Sequence, residues 1–578
     1  MADLNEMKLL IRLPNQHVLN FRSPTRRSAA DLIGITGGKV EALFPDTSVQ
    51  FVGGQNDWVV FQPDTVEDIH PWDRAHKQAL SIVNSASGVG DVYVEPNIIH
   101  KRTLDSSDAG VRSSITPLSA QEDVTLAPPY PPTESLNPNY PPSEGASFSP
   151  AWHLQKAGFP RAWQTTKGEG IRIAHLDIGW WSNHYSAPLK VRKDLGYNFV
   201  EGNSNTVDPG VGPNKGHGTA TLALLAGNAV SLCGKAGQSE GDQVYRGFIG
   251  GAPSAEIVPV RIAGVDGSVV YLYGETMARG LAYAINPGDG RRCDVVSLSH
   301  GGLPMKSWAH AVNMLYDAGV VVVAAAGDSY WAVLTDIATH FTVYPSAFYR
   351  VVTSTGVTFD DGPYKRDRLG VMQGCWGPDK VMKKAVGAYT PNVPWMCYNT
   401  KYGWDMNGAG TSASTPQMAA ACALWLAKYG SVFPNDWRRV AACRAALGRS
   451  VADAEKDFSE IGLGRLDVSA MIEQTLADEV KHLCDENRLQ NIDPDDVSFP
   501  FLRLLFGLAP PGNGIEEMYE VEALQIFYQT TNERLFRAVE DYENERLQSN
   551  EDLSELRAQF LQEKGMSDAL RGYLTSHA

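Results

Sequence analysis

Short apolar runs and longer mixed stretches divide the chain into four regions. Over residues 1–100, runs rich in β-branched and aromatic residues predict strands at Lys8–Leu13, Val40–Phe44, Trp58–Gln62 and Asp91–Ile99. Helices are predicted at Ser28–Ile35 and Trp72–Val83, and in the second Trp72, Ala75, Ala79, Leu80 and Val83 share one side. The order βαββαβ is a ferredoxin-like α+β layout. Residues 101–150 lose this periodicity: Ser, Thr, Pro and Asp dominate, and Tyr130-Pro-Pro-Thr-Glu134 is echoed by Tyr140-Pro-Pro-Ser-Glu144. Such a segment carries too little apolar surface to fold and reads as an extended linker.

Residues 151–473 change pattern again. Apolar runs at Ile171–Leu176, Ile257–Val260, Val295–Leu298 and Val320–Ala325 alternate with helix-compatible stretches at Thr219–Ala229, Glu275–Ile285 and Thr415–Tyr429. Alternation of this kind predicts βαβ units around a parallel sheet buried on both faces. Residues 474–578 turn helical and acidic. Leu524, Phe527, Leu535, Phe536 and Val539 predict one amphipathic helix, and Leu553, Leu556, Phe560 and Leu561 another.

The chain has 578 residues, more than one hydrophobic core can organise. Its 50 Lys+Arg against 66 Asp+Glu leave a formal charge of −16, a field that repels phosphate backbones and anionic lipid, so neither nucleic acid nor a membrane is expected as partner. Seven cysteines without a C-x-x-C pair read as reduced, mostly buried thiols, Cys422 and Cys443 on apolar helical stretches among them. The N-terminus lacks a basic segment followed by an apolar core, and no uncharged stretch is long enough to span a bilayer. A soluble, cytoplasmic protein is expected.

Three segments of the α/β region stand out chemically. Ile173-Ala-His-Leu-Asp177-Ile-Gly179 is an apolar strand ending in a carboxylate; Gly216-His217-Gly218-Thr219 puts a histidine between glycines at a helix start; and Gly408-Ala-Gly410-Thr411-Ser412-Ala-Ser414-Thr-Pro416 puts a serine on a glycine-flanked turn, with Pro416 expected in the first turn of the helix that follows. A hydroxyl attacks an amide only when an imidazole takes its proton, and that imidazole needs a carboxylate to fix its tautomer and stabilise its charge. Asp177, His217 and Ser412 supply the three groups. His175, two residues before Asp177 on the same strand face, and His184 read as structural histidines.

In order along the chain, these segments resemble those of the subtilisin-like serine proteases. Gly251-Ala-Pro253-Ser-Ala255, Asp294-Val-Val-Ser-Leu-Ser299-His300-Gly301-Gly302, Tyr344-Pro-Ser-Ala347 and Gly462-Leu-Gly-Arg-Leu-Asp467-Val468 resemble further motifs of that family, and Val92-Tyr-Val-Glu-Pro96 resembles the end of its propeptide. Ala220 and Gln417 stand where the family often has histidine. The resemblance implies a subtilisin-like parallel sheet flanked by helices, preceded by an inhibitory, fold-assisting N-terminal domain and followed by a helical C-terminal region. It implies a serine endopeptidase acting on protein or peptide, with Ser412 as nucleophile, His217 as base and Asp177 orienting it. Ser299, His300 and Gly301 would form one wall of the substrate pocket, Ala325, Ala326 and Gly327 the other, and Val343 its floor, which favours an apolar residue before the cut. No cofactor is required and no metal ligands are assigned; structural calcium, frequent in the family, is not located.

One departure bears on activity. Where the family places an asparagine that donates to the oxyanion, this chain has Asp328. An ionised carboxylate only accepts. The oxyanion hole expected from the resemblance is therefore the Ser412 N–H with Asp328 in its protonated form, and the alternative is a weak or inactive protease fold that binds proteins, with the acidic C-terminal helices as the partner surface.

Overall fold

The computed structural model describes residues 7–13, 37–44, 57–65, 67–85, 91–103, 151–212, 214–233, 243–266, 269–329, 339–365, 373–398, 401, 403–454, 456–473, 491–547 and 553–577. The helix expected at Ser28–Ile35 and almost all of the linker expected at 101–150 lie outside them.

The central layer is a parallel sheet of seven strands. In chain order these are β6 (Arg172–Asp177), β7 (Tyr197–Asn198), β8 (Glu256–Arg261), β11 (Val295–Leu298), β12 (Val321–Ala325), β13 (Val352–Val357) and β14 (Ala385–Tyr389), arranged across the sheet as 14-13-12-11-6-8-7. All six residues of β6 and all four of β11 are buried, as a strand covered by helices on both faces demands. The covering helices include α2 (His217–Ala226), α3 (Gly274–Tyr283), α4 (Lys306–Asp317) and α5 (Thr411–Tyr429). A smaller antiparallel sheet stands beside this layer, built from β9 (Ala263–Asp266) and β10 (Val269–Tyr273).

The N-terminal residues form β1 (Leu9–Leu13), β2 (Gly38–Ala42), β3 (Asp57–Pro63), α1 (Pro71–Ser85) and β4 (Tyr93–Pro96), with an antiparallel sheet of order 2-3-1-4. That order is the ferredoxin-like one. The single strand expected at Asp91–Ile99 is two: after β4 the chain turns through Asn97, and β5 (Ile99–Thr103) leaves the N-terminal sheet to pair antiparallel with β10, Ile99 opposite Tyr273. The break has a cause, because the Asn97 side chain accepts the Glu275 N–H at 2.7 Å and so caps α3. One residue pair earlier, the fully buried Glu95 accepts the Lys306 and Ser307 N–H groups at 3.0 and 3.1 Å, capping α4, and the Tyr93 hydroxyl at 2.8 Å. Two helix N-termini of the α/β layer are thus completed by side chains of the N-terminal unit.

The C-terminal helices are α6 (Pro500–Phe506), α7 (Gly514–Phe527), α8 (Glu533–Glu543), α9 (Leu553–Phe560) and α10 (Asp568–Thr575). The one helix expected across Leu524–Val539 is broken between Phe527 and Glu533, where Asn532 accepts the Arg534 and Leu535 N–H groups and starts a new helix. Helix α7 bridges the other two units. Gln525 accepts from Trp72 Nε1 at 3.0 Å and donates to Pro304 O at 2.7 Å, Glu517 pairs with Arg12 at 2.9 Å, and Phe527 meets Phe341 edge-on. One hydrophobic cluster therefore runs from Leu10 and Ile11 through Met305 and Trp308 to Phe527 and Leu535.

The Glu95 caps are directly testable. Leaving a buried N–H without its acceptor costs about 1–3 kcal/mol, so Glu95→Ala should lower hydrogen-exchange protection of the Lys306 and Ser307 amides about tenfold or more in the full chain. Unchanged protection at these two amides would remove Glu95 as their cap.

Candidate active site

The site lies at the carboxyl ends of β6, β11 and β12, where a parallel sheet leaves its loops free to carry side chains. Asp177 is the last residue of β6 and 1% exposed. His217 opens α2, whose start presses against that strand end through Gly218. A Cβ on Gly218 would lie 2.0 Å from Gly179 O, so only glycine permits this approach. As a result His217 Nδ1 is 2.9 Å from Asp177 Oδ1 and 3.1 Å from Oδ2.

Three further groups hold the carboxylate. The Ile178 N–H donates to Oδ1 at 2.7 Å, Thr221 Oγ1 donates to Oδ2 at 3.0 Å, and His300 Nε2 lies 3.2 Å from Oδ1. Burial pushes Asp177 up, but the adjoining imidazoles of His217 and His300 outweigh it and hold the carboxyl well below its usual range. Nearby Asp208, which accepts the Gly216 N–H just ahead of His217, moves the other way, to about 6, because burial dominates there.

Ser412 is the second residue of α5, after Gly410 in a left-handed φ of 79°. The helix starts at Thr411, so Pro416 sits beyond the first turn expected for it. Having no N–H, Pro416 leaves the Ser412 carbonyl without its helical donor. Ser299 Oγ supplies one at 3.0 Å, and Ser412 Oγ in turn donates to Ser299 O at 3.3 Å. The nucleophile candidate is therefore tied to the end of β11, and its hydroxyl is on Ser299 and makes no hydrogen bond with His217. Asp328, just past β12, accepts the Thr411 N–H at 2.8 Å through Oδ1, and a Cβ on Gly410 would meet its Oδ2 at 2.8 Å. Its carboxyl faces the turn that carries Ser412.

Of the residues assigned to the substrate pocket, Ser299 and Ala325 are 4% exposed and Ala326 is fully buried. Val343 donates its N–H to Ala326 O at 2.9 Å, and its side chain separates Gly301 from Gly327. A Cβ on Gly301 would lie 2.5 Å from Val343 Cγ2, and one on Gly327 2.9 Å from Cγ1. The Val343 side chain thus lies against both glycine backbones. His300, assigned to the same wall, turns instead to Asp177.

His175 Nε2 is 2.9 Å from Thr221 Oγ1, and burial lowers its pKa to about 4; His184 is bound to Ser186 Oγ and Gly403 O. Both rings are buried and held by hydrogen bonds within the fold. Cys422 and Cys443 are fully buried core thiols. Two contacts escaped the sequence reading. Thr221 was legible, four residues after His217 and so on the same helical face. The His300–Asp177 contact was not, because it depends on strand register.

A seven-stranded parallel sheet flanked by helices, with a buried Asp177–His217 pair at the carboxyl end of β6 and Ser412 tied to the residue after β11, defines a subtilisin-like α/β protein. The family model of the subtilase family matches residues 168–464, just over half of the 578, and the chain belongs to that family. It is similar to thermitase of Thermoactinomyces vulgaris, at 33% identity over 33% of this chain and 58% of that protein, so the match spans little more than half of the relative. Subtilisin DY of Bacillus licheniformis is 28% identical over 50% of this chain and 88% of its own. An intracellular serine protease of Paenibacillus polymyxa is 26% identical over 46% and 69%.

Removing the Thr221 donor should leave more negative charge on Asp177 facing His217. Thr221→Val, close in volume, leaves that buried charge one donor short and is expected to lower the stability of the full chain by about 1.5–3 kcal/mol, read as a lowered melting temperature. An unchanged melting temperature would make Thr221 a packing residue only.

Proposed function

We propose that the chain is a serine endopeptidase in which Ser412 attacks the scissile carbonyl, His217 takes and returns the proton, and Asp177 orients His217. The observation that carries this reading is the 2.9 Å contact between the buried Asp177 carboxylate and His217 Nδ1. A carboxylate accepts, so Nδ1 bears the hydrogen and Nε2 is left as the base. Ser412 Oγ must leave Ser299 O, to which it donates at 3.3 Å, to hydrogen bond with that nitrogen, and catalytic hydrogen bonds of this kind tighten on substrate binding. The Ser412 N–H at the α5 terminus and Asp328 Oδ2, protonated, are the oxyanion donors. The Val343 floor between Gly301 and Gly327 favours a small apolar residue before the cut.

The N-terminal unit restrains this activity. Strand β5 adds to the free edge of β10 by main-chain pairing, the way a substrate strand binds, and His100 accepts the Leu303 N–H through Nδ1 at 3.1 Å directly over Gly302. Residues 1–100 thus act as a propeptide, and cleavage in the following linker releases them. An intracellular setting fits the five free cysteines of the described residues, and no described helix is long and apolar enough to cross a membrane.

A second reading, a weak or inactive fold that binds proteins, draws on Asp328 and on the Ser412 hydroxyl being held by Ser299. Its partner surface would have to lie outside the C-terminal faces already packed within the chain.

Ser412→Ala should leave the melting transition in place and lower hydrolysis of a denatured protein substrate about a thousandfold or more. Turnover within a few-fold of the parent would refute the assignment. Asp328→Asn replaces a donor that deprotonation removes by a permanent one. It should raise kcat near neutral pH and shift the optimum upward at nearly constant KM, by some part of the roughly 10²–10³-fold that one such donor contributes in subtilisin. A profile of unchanged shape and height would place Asp328 outside the oxyanion hole.

A further inference from the structure

Asp177 holds two histidines, and peptide hydrolysis uses one. His217 Nδ1 and His300 Nε2 approach the same oxygen, Oδ1, at 2.9 and 3.2 Å, with their rings 5.1 Å apart and tilted by 50°. One ligand atom from each of the three side chains lies within 4.8 Å of the others. A tetrahedral zinc ion with nitrogen and oxygen ligands at about 2.0–2.2 Å separates neighbouring ligands by about 3.3 Å. Both O···N gaps already match such an edge to within a few tenths of an ångström.

The surroundings suit a cation as well. Ile178 N–H and Thr221 Oγ1 remain on the carboxylate when the two imidazoles turn to a metal, and they fix its orientation. The His217 and His300 side chains are 9% and 10% exposed, against 1% for Asp177, so the open side of the cluster is the histidine side. Two imidazoles and one carboxylate select late first-row divalent ions over calcium and magnesium, which prefer oxygen.

We propose that Asp177, His217 and His300 form an inhibitory binding site for a divalent transition cation of the zinc type. Metal binding itself is independent of the endopeptidase reading; its inhibitory consequence rests on that reading. The cation takes the lone pair of His217 Nδ1. The Nδ1–H bond breaks, an Nε2–H bond forms through solvent, and the ring stays neutral; His300 moves its proton the opposite way, from Nε2 to Nδ1, to free its own ligating lone pair, so no net proton is gained or lost. The tautomer left behind has no lone pair at Nε2, the atom that must accept the Ser412 proton. The cation's charge also offsets the carboxylate that would stabilise a forming imidazolium.

The test separates binding from inhibition. Full-length Ser412→Ala protein titrated with Co²⁺ should develop the visible absorption of four-coordinate cobalt, which one equivalent of Zn²⁺ abolishes and millimolar Ca²⁺ or Mg²⁺ does not. Adding His300→Leu should weaken Co²⁺ binding at least tenfold while the melting transition persists; if that variant fails to fold, His300→Gln takes its place. In the Ser412 parent, the Zn²⁺ concentration that halves activity should rise at least tenfold with the same His300 substitution, each protein compared with its own metal-free rate. No cobalt band, or a band indifferent to His300, would overturn the site. A cobalt band dependent on His300 in a protein without peptidase activity would keep the metal site and defeat the endopeptidase reading instead.

Discussion

The buried charge of Asp177 is what the surrounding structure must satisfy. An ionised carboxylate that is 1% exposed is unfavourable unless its lone pairs are filled, and here a backbone N–H, a threonine hydroxyl and two imidazoles fill them. Each donor comes from a different part of the α/β layer: the end of β6, two places on α2, and the segment after β11. Satisfying one charge thus fixes the approach of α2 to the sheet, and that requires the absence of a side chain at Gly218. The same constraint orients His217, so the chemistry and the folding of the site share a cause.

A second layer of constraint joins the three units. Glu95 and Asn97 complete the N-termini of α4 and α3, and β5 then continues onto β10, so the N-terminal unit is both a cap for two helices and a third strand on the small antiparallel sheet. Helix α7 closes the arrangement from the far side by hydrogen bonding Trp72 of the N-terminal unit and Pro304 of the α/β layer through one glutamine, Gln525. Separating the N-terminal unit from the α/β layer would expose two helix ends and part a continuous apolar cluster. The C-terminal helices contribute to how tightly that unit is held.

Much of this was legible in the chain. Runs such as Val295–Leu298 are apolar throughout because the strand is covered on both faces, and Asp177, His217 and Ser412 sit beside glycines because backbone must approach backbone there. What was not legible depends on register and partners. Parallel pairing sets Leu298 opposite Leu176, so β6 and β11 end together and His300 falls beside Asp177; nothing local to His300 announces this. The breaks at Asn97 and Asn532 were visible as capping residues in hindsight of their partners, the Glu275 N–H and the first turn of α8, and apolar periodicity alone ran through them. The amphipathic C-terminal faces gave no sign of which surface they cover.

The central claim is that Ser412 is a nucleophile activated by His217. The most direct measurement is covalent labelling with a fluorophosphonate, mapped by mass spectrometry, before and after proteolytic cleavage of the 104–150 segment and across acid to neutral pH. The account predicts a single adduct on Ser412 that forms much faster after cleavage and is lost in His217→Ala. No adduct in either state at any pH, or an adduct on another serine, would contradict it.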